Sequence, residues 1–368
     1  MDTEAPRQSP AHLPWIDGLR GIAVLGVMAV HSGVAYFGSR GVQLFFFASA
    51  FTLLVSLQRR HEPILFFYIR RLFRIAPMFY LALAFYSFAG EMPNASSIIA
   101  TLSFAFALTP WTIWSAVPGG WSVGEEFLFY ALLPTTARHV STLPRSILCF
   151  LVLASIGRFA FVSLIDALAP TATSDESWRS SVAIWLDMPT FFTAFAAGIV
   201  FFHLRASFVY AWIQKNIRTS GLEIILIVVT VHLAWRLVRY GHDVVPIVID
   251  FIPIGVCLSL GAGRWLISAP IRYVGRISYS CYLVHFAVLS TASSATAMMG
   301  LSGHAGAVAK FCVVVATTVA VSSITYILIE QRGIRLGEAL IRKLKVDATV
   351  PGAPPNDSLD TGTLSGPA

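Results

Sequence analysis

The chain has 368 residues, of which 56% are hydrophobic and 12% charged, with a mean hydropathy of +0.71. An ordinary soluble domain carries about twice that charged fraction, so the composition excludes a soluble enzyme and points to repeated membrane crossings. The formal charge of +7 forms no basic stripe with interleaved aromatics, which argues against nucleic-acid binding and suits loops facing anionic lipid.

Residues 1–12 have mixed charge and no apolar run or small-residue cleavage pattern, so they read as a cytoplasmic tail and not as a cleaved signal. A spanning helix needs about 20 mostly apolar residues. In chain order the candidates are Ile16–Phe37, Val42–Leu57, Leu72–Ala89, Trp121–Thr136, Ser146–Ile165, Val182–His203, Gly221–Val238, Val244–Gly261, Ile277–Ala297 and Gly306–Ile329. The apolar stretch Ser96–Thr109 is only about 14 residues long, which makes it an eleventh span or a re-entrant or interfacial helix.

Charge decides between these. Ten spans with both termini inside put 20 basic residues inside and 5 outside, with Arg158 embedded. An eleventh span would move Arg138 and Arg145 outside and invert everything after them, against the positive-inside rule. The expected fold is therefore all-α: a polytopic integral membrane protein of about ten transmembrane helices plus a re-entrant helix. The membrane domain covers residues 13–346. Residues 347–368, rich in Pro, Gly, Ser, Thr and Asp, are expected to be a disordered cytoplasmic tail.

The side chains suited to chemistry lie inside these apolar runs. Arg20 and His31 are 11 residues apart, nearly three whole helical turns, so they share a face and lie roughly 16 Å apart along the axis. Ionisable groups within a span suggest function, and imidazole is the side chain best suited to take a proton near neutral pH. Arg71 and Arg74 are three residues apart on one helical face, beside Arg70 and the Arg59–Arg60 pair. They are either topology anchors or a phosphate site for a cytosolic donor. Glu125 and Glu126 fall near the outer end of the fourth span, with Tyr130 on the face of Glu126. His285 follows a Ser/Tyr-rich face carrying Ser278 and Tyr282, and Glu330 ends the last span beside Arg332 and Arg335. We read Glu330 as structural. Cys149, Cys257, Cys281 and Cys312 form no C-x-x-C pair, and no metal site is expected.

Taken in order, these segments resemble the acyltransferase-3 family of integral membrane O-acyltransferases. The first span carries its Asp-Gly-Leu-Arg-Gly opening and its Arg-x10-His motif, at Arg20 and His31. "GVQLFFFASAF" resembles its second span, with Ala50 and Gln43 departing from the usual residues. "RRLFRIAP" carries the Arg-x-x-Arg signature at Arg71 and Arg74. "WSVGEEFLFY" resembles the segment that yields Glu126 and Tyr130, and "ISYSCYLVH" the one that yields His285. Between them the segments run from about Leu13 to Gly337.

The resemblance implies a stand-alone enzyme of the cell membrane. It would bind no permanent cofactor and use a cytosolic acyl-CoA, acetyl-CoA first among them, as donor. The acceptor would be a hydroxyl of a sugar, polysaccharide, glycolipid or related molecule. His31 would be the base, or the carrier of the acyl group, with Arg20 and Glu126 beside it in catalysis. Arg71 and Arg74 would hold CoA phosphates, and Tyr130 and His285 are further candidates. The competing reading is a transporter whose His31, Glu126, Arg158 and His285 form a proton relay. Nothing in the sequence specifies the oligomeric state.

Overall fold

The computed structural model describes residues 13–35, 40–60, 62–89, 94–168, 176–240 and 248–349. They form α1 (Pro14–His31), α2 (Arg40–Arg59), α3 (Ile64–Ala89), α4 (Ala95–Leu102), α5 (Trp121–His139), α6 (Leu143–Leu168), α7 (Glu176–Leu186), α8 (Met188–Arg205), α9 (Phe208–Asn216) and α10 (Thr219–Tyr240). The remaining helices are α11 (Phe251–Ser259), α12 (Ala269–Arg276), α13 (Ser278–Met298), α14 (Gly303–Thr325) and α15 (Gln331–Thr349). No strand occurs among the described residues.

Among the described residues, six helical runs are long and apolar enough to cross a membrane: 40–59, 64–89, 181–205, 219–236, 278–298 and 303–346. Their outward faces and that of α6 carry bare apolar side chains, among them Phe85, Phe88, Phe159 and Val231. Such faces need lipid as their solvent. The protein is therefore an all-α, multi-pass membrane protein.

Aromatic packing holds the bundle centre. Phe46 of α2 and Phe129 of α5 stack against Phe195 of α8, with ring centroids 4.3 and 4.0 Å away. Elsewhere small residues bring backbones together, as lipid-embedded helices require. A Cβ on Gly275 of α12 would overlap the Asp17 carbonyl oxygen, and one on Gly21 of α1 would overlap that of Ile271.

Several expected boundaries move. The first span was expected to reach Phe37, but α1 stops at His31, where Gly33 turns with φ of 81°; residues 36–39 lie outside the described set. The expected run Val182–His203 breaks at Asp187, because Pro189 opens α8 and cannot continue the preceding turn. Part of the span expected at Val244–Gly261 falls outside the described residues, and α11 covers its second half. The α4 helix has 8 residues, about 12 Å, too short to cross a core about 30 Å thick. The chain then folds back through Phe104, in the left-handed region at φ 57°, and a short 3₁₀ turn, Ala105–Leu108.

At the C-terminal end α14 passes into α15 through a π-helical turn, Tyr326–Glu330. Such an inserted residue rotates the rest of the helix and often marks a functional position. Here it leaves Glu330 fully buried. The α15 helix runs to Thr349, past the expected tail boundary at 347. The expected tails at 1–12 and 350–368 lie outside the described residues.

Candidate active site

The site is built along α1. A cavity of about 1050 Å³ opens at the end of the bundle where α1 begins and α2 finishes, and α15 supplies one wall through Glu338, Ile341, Arg342 and Lys345. Nine Arg and Lys side chains line it against four Asp and Glu, so its lining is net cationic.

Arg20, Arg71, Arg74, Glu126 and Tyr130 meet in its inner part. Ser49 donates a 2.8 Å hydrogen bond to Glu126, and the Tyr130 hydroxyl donates to the same carboxylate. Ser280 of α13 donates to Glu330 at 3.0 Å, and that carboxylate lies in the electrostatic field of Arg74 and Arg20. Glu330, read from the sequence as structural beside Arg332 and Arg335, is fully buried behind the chamber, where Arg74 and Arg20 are the cations that face it. The two α3 arginines differ. Arg74 answers to Glu330, Tyr130 and Glu126. Arg71 lies over the Phe67 ring with its Nε buried and without a hydrogen-bond partner.

The mouth is tied by ion pairs. Arg70 reaches Glu62 at 2.6 Å and Glu338 at 2.9 Å, Arg60 reaches Glu338 at 3.7 Å, and Lys345 reaches Glu62 at 2.6 Å. Burial pushes the Glu62 carboxyl up, but hydrogen bonds from Lys345 and Arg70 outweigh it and hold it below the ordinary carboxylate range. These contacts pin α15 across the loop between α2 and α3.

Glu126 corrects the sequence reading. It was placed near the outer end of the fourth span, yet it bonds Ser49, the midpoint of α2. The reason is the fold-back of residues 104–120, which starts α5 deep in the bundle. Ser122, in the first turn of α5, bonds the Tyr282 hydroxyl of α13 at 2.8 Å, and that hydroxyl also donates to the Gly119 carbonyl at 2.9 Å.

His31 is not in the chamber. It lies at the other end of α1 and meets His285 of α13, Nδ1 to Nε2, at 2.9 Å. His285 is fully buried and its own Nδ1 sits 2.6 Å from the Tyr282 carbonyl oxygen, while His31 is exposed. Phe286 packs against both rings. The chain from α12 into α13 runs parallel to α1: Gly21 lies against Gly275 below and His31 against His285 above, ten residues or about 15 Å further on each.

Beyond His31 a polar groove of about 490 Å³ runs from Ser32 and Gly33, past Ser293 and Thr296, to the turn between α13 and α14, with His304 and Lys310 on its rim. Ser32 is fully buried and its hydroxyl has no partner. The chamber reaches α1 at Arg20, and the groove begins at Ser32, next in the chain to His31. The structure therefore splits the expected catalytic trio: Arg20 and Glu126 stand together, and His31 pairs with His285. A relay through His31, Glu126, Arg158 and His285 is not assembled as a unit, since Glu126 is in the chamber; the Arg158 side chain lies outside the described residues.

Sequence reasoning missed Ser49 and the pairing of Glu62, Arg70 and Glu338. Ser49 falls inside the second-span segment GVQLFFFASAF, and that resemblance could have singled it out. The ion pairs join residues up to 283 positions apart.

Residues 13–327 match the acyltransferase domain of the acyltransferase-3 family. The exopolysaccharide production protein ExoZ of Rhizobium meliloti (strain 1021) is 34% identical over 104 residues, which is 26% of this chain and 33% of that relative. The alignment thus covers about a third of the relative's length. No solved structure matches. With its motif residues gathered at the two ends of α1 and the family match running through nearly the whole membrane bundle, the chain belongs to the acyltransferase-3 family of membrane acyltransferases.

Proposed function

We propose that the protein transfers an acyl group, acetyl in the simplest case, from a cytosolic acyl-CoA to a hydroxyl of a carbohydrate acceptor. The single observation that carries this is the arrangement along α1: a cationic chamber at one end and, at the other, the His31–His285 pair beside a hydroxyl-bearing groove. The chamber suits the phosphates of CoA, with the buried Arg71 Nε, which has no hydrogen-bond partner within the protein, as one donor open to a phosphate. The pantetheine arm would run along the shared face of α1 from Arg20 toward His31. The groove would admit the acceptor from the opposite end.

The chemistry balances without a cofactor. His31 takes the proton of the acceptor hydroxyl as that oxygen attacks the thioester carbonyl. The new C–O bond forms, the C–S bond breaks, and the CoA thiolate receives the proton. Glu126, held by Ser49 and Tyr130, would keep Arg20 in place. The name of ExoZ, an exopolysaccharide production protein, supports a polysaccharide or its sugar precursor as acceptor. The basic-residue asymmetry supports a chamber that faces the cytoplasm, with both termini on that side of the cell membrane.

The test is acetyl transfer by the purified protein in detergent, followed as CoA release from acetyl-CoA with and without sugar acceptors. His31→Ala should reduce turnover by about 10²–10⁴-fold while folding and membrane level stay normal. Turnover at the wild-type rate in that variant would end the assignment.

A further inference from the structure

The pair of histidines carries more information than the presence of a base, because its hydrogen bonds have a direction. The Tyr282 carbonyl oxygen can only accept, so the bond at 2.6 Å requires the proton of a neutral His285 to sit on Nδ1. Its Nε2 is then a lone pair. That lone pair faces His31 Nδ1 at 2.9 Å, so His31 must carry its own proton on Nδ1. The rings are 17° from parallel with centroids 5.1 Å apart, the separation of two imidazoles meeting edge to edge in nearly one plane. This is the alignment an N–H···N bond needs. His31 Nε2 is left unprotonated and outside the pair.

We infer that His285 is a positioning residue: anchored by the Tyr282 carbonyl, it holds His31 in the Nδ1–H tautomer and so makes Nε2 the base. This rests on the reading of His31 as base. In the reaction the acceptor proton goes to His31 Nε2, giving an imidazolium whose Nδ1–H still donates to His285, and no proton needs to leave His285. The logic is that of a serine-protease triad, with a buried imidazole and a backbone carbonyl where the triad has a carboxylate. The surroundings hold the pair in this sense. The Phe286 ring centroid lies 4.0 Å from that of His285 and 4.7 Å from that of His31. Tyr282 is itself tied to Ser122 and to the Gly119 carbonyl, so the carbonyl that sets the direction belongs to an anchored residue.

Two measurements test this on the full chain in detergent. Nitrogen-15 NMR of histidine-labelled protein, assigned with single variants, distinguishes protonated from unprotonated ring nitrogens. We expect His31 with Nδ1 protonated and Nε2 free, and His285 likewise. A proton on His31 Nε2 at neutral charge would overturn the proposal, and because it is read on wild-type protein it does not depend on any variant folding. In kinetics, His285→Leu removes the acceptor for His31 Nδ1–H and should lower kcat about ten- to a hundredfold with the acetyl-CoA KM unchanged. His285→Gln, whose amide oxygen can take the Nε2 position, should recover most of the loss. Wild-type kcat in a folded His285→Leu protein would also overturn it. A His31→Ala protein that turns over normally would instead remove the base itself, and an expected tautomer pattern beside that result would assign the failure to the functional reading.

Discussion

Replacing Arg71 by alanine separates a donor site from a topology signal. Arg71 and Arg74 share a face of α3, but only Arg74 is answered by the buried carboxylate of Glu330. The Arg71 Nε is buried and has no hydrogen-bond partner, and Arg71 is not among the cations acting on Glu330, so its removal takes a guanidinium from the chamber without orphaning that carboxylate. A charge-assisted hydrogen bond contributes about 1.5–3 kcal/mol, which raises the dissociation constant for free coenzyme A by about ten- to a hundredfold. Arg74→Ala does something else: it leaves the fully buried Glu330 without its main cation. Leaving a buried carboxylate without its cation is strongly destabilising against the roughly 5–15 kcal/mol that holds an ordinary domain together. Calorimetric titration with coenzyme A and thermal unfolding on the same purified samples read the two effects. Arg71→Ala should lose affinity and keep its Tm, whereas Arg74→Ala should lose Tm. Arg71→Lys should recover only part of the affinity, because an ammonium lacks the bidentate fork. Unchanged coenzyme A affinity in Arg71→Ala would reduce the residue to a membrane anchor and refute the reasoning.

Other perturbations probe other parts of the structure. Ser49→Ala removes the 2.8 Å hydrogen bond to Glu126 and should weaken turnover more than it weakens coenzyme A binding; equal loss in both would show that Ser49 serves the donor. Gly275→Val places a side chain on the Asp17 carbonyl and should drive α12 from α1, seen as loss of the monodisperse peak in fluorescence-detected chromatography. The Glu62 carboxyl is held below its ordinary value by Lys345 and Arg70. Its contribution to docking α15 is therefore complete above the ordinary carboxylate range and fades as pH falls through the lowered value. Hydrogen exchange of α15, read at each pH and corrected for its intrinsic pH dependence, should speed up below that range in wild type but show no such step in Glu62→Gln. Arg138→Cys should resist labelling by an impermeant reagent added from outside, and ready labelling would invert the proposed orientation.

Much of this protein was legible in its sequence because the information was local. Apolar runs of near-spanning length identify membrane helices whatever they pack against. The Arg20–His31 and Arg71–Arg74 spacings assign shared faces from helical periodicity alone. Five motifs in order were enough for the family. The levels and pairings were decided only by the tertiary structure. A hydrophobic run does not reveal that residues 104–120 fold back into the bundle, and that return is what lowers Glu126 from its expected outer position to the level of Ser49. Nor does it show that Gly33 ends α1 just after His31, so that the imidazole can meet His285 from 254 positions away. The π turn at Tyr326–Glu330 rotates Glu330 inward, away from the arginines that come after it in the chain. Periodicity sets the face a side chain shares with its neighbours on one helix; the partner it meets depends on the depth and direction at which another helix passes, and those come from packing across the whole bundle.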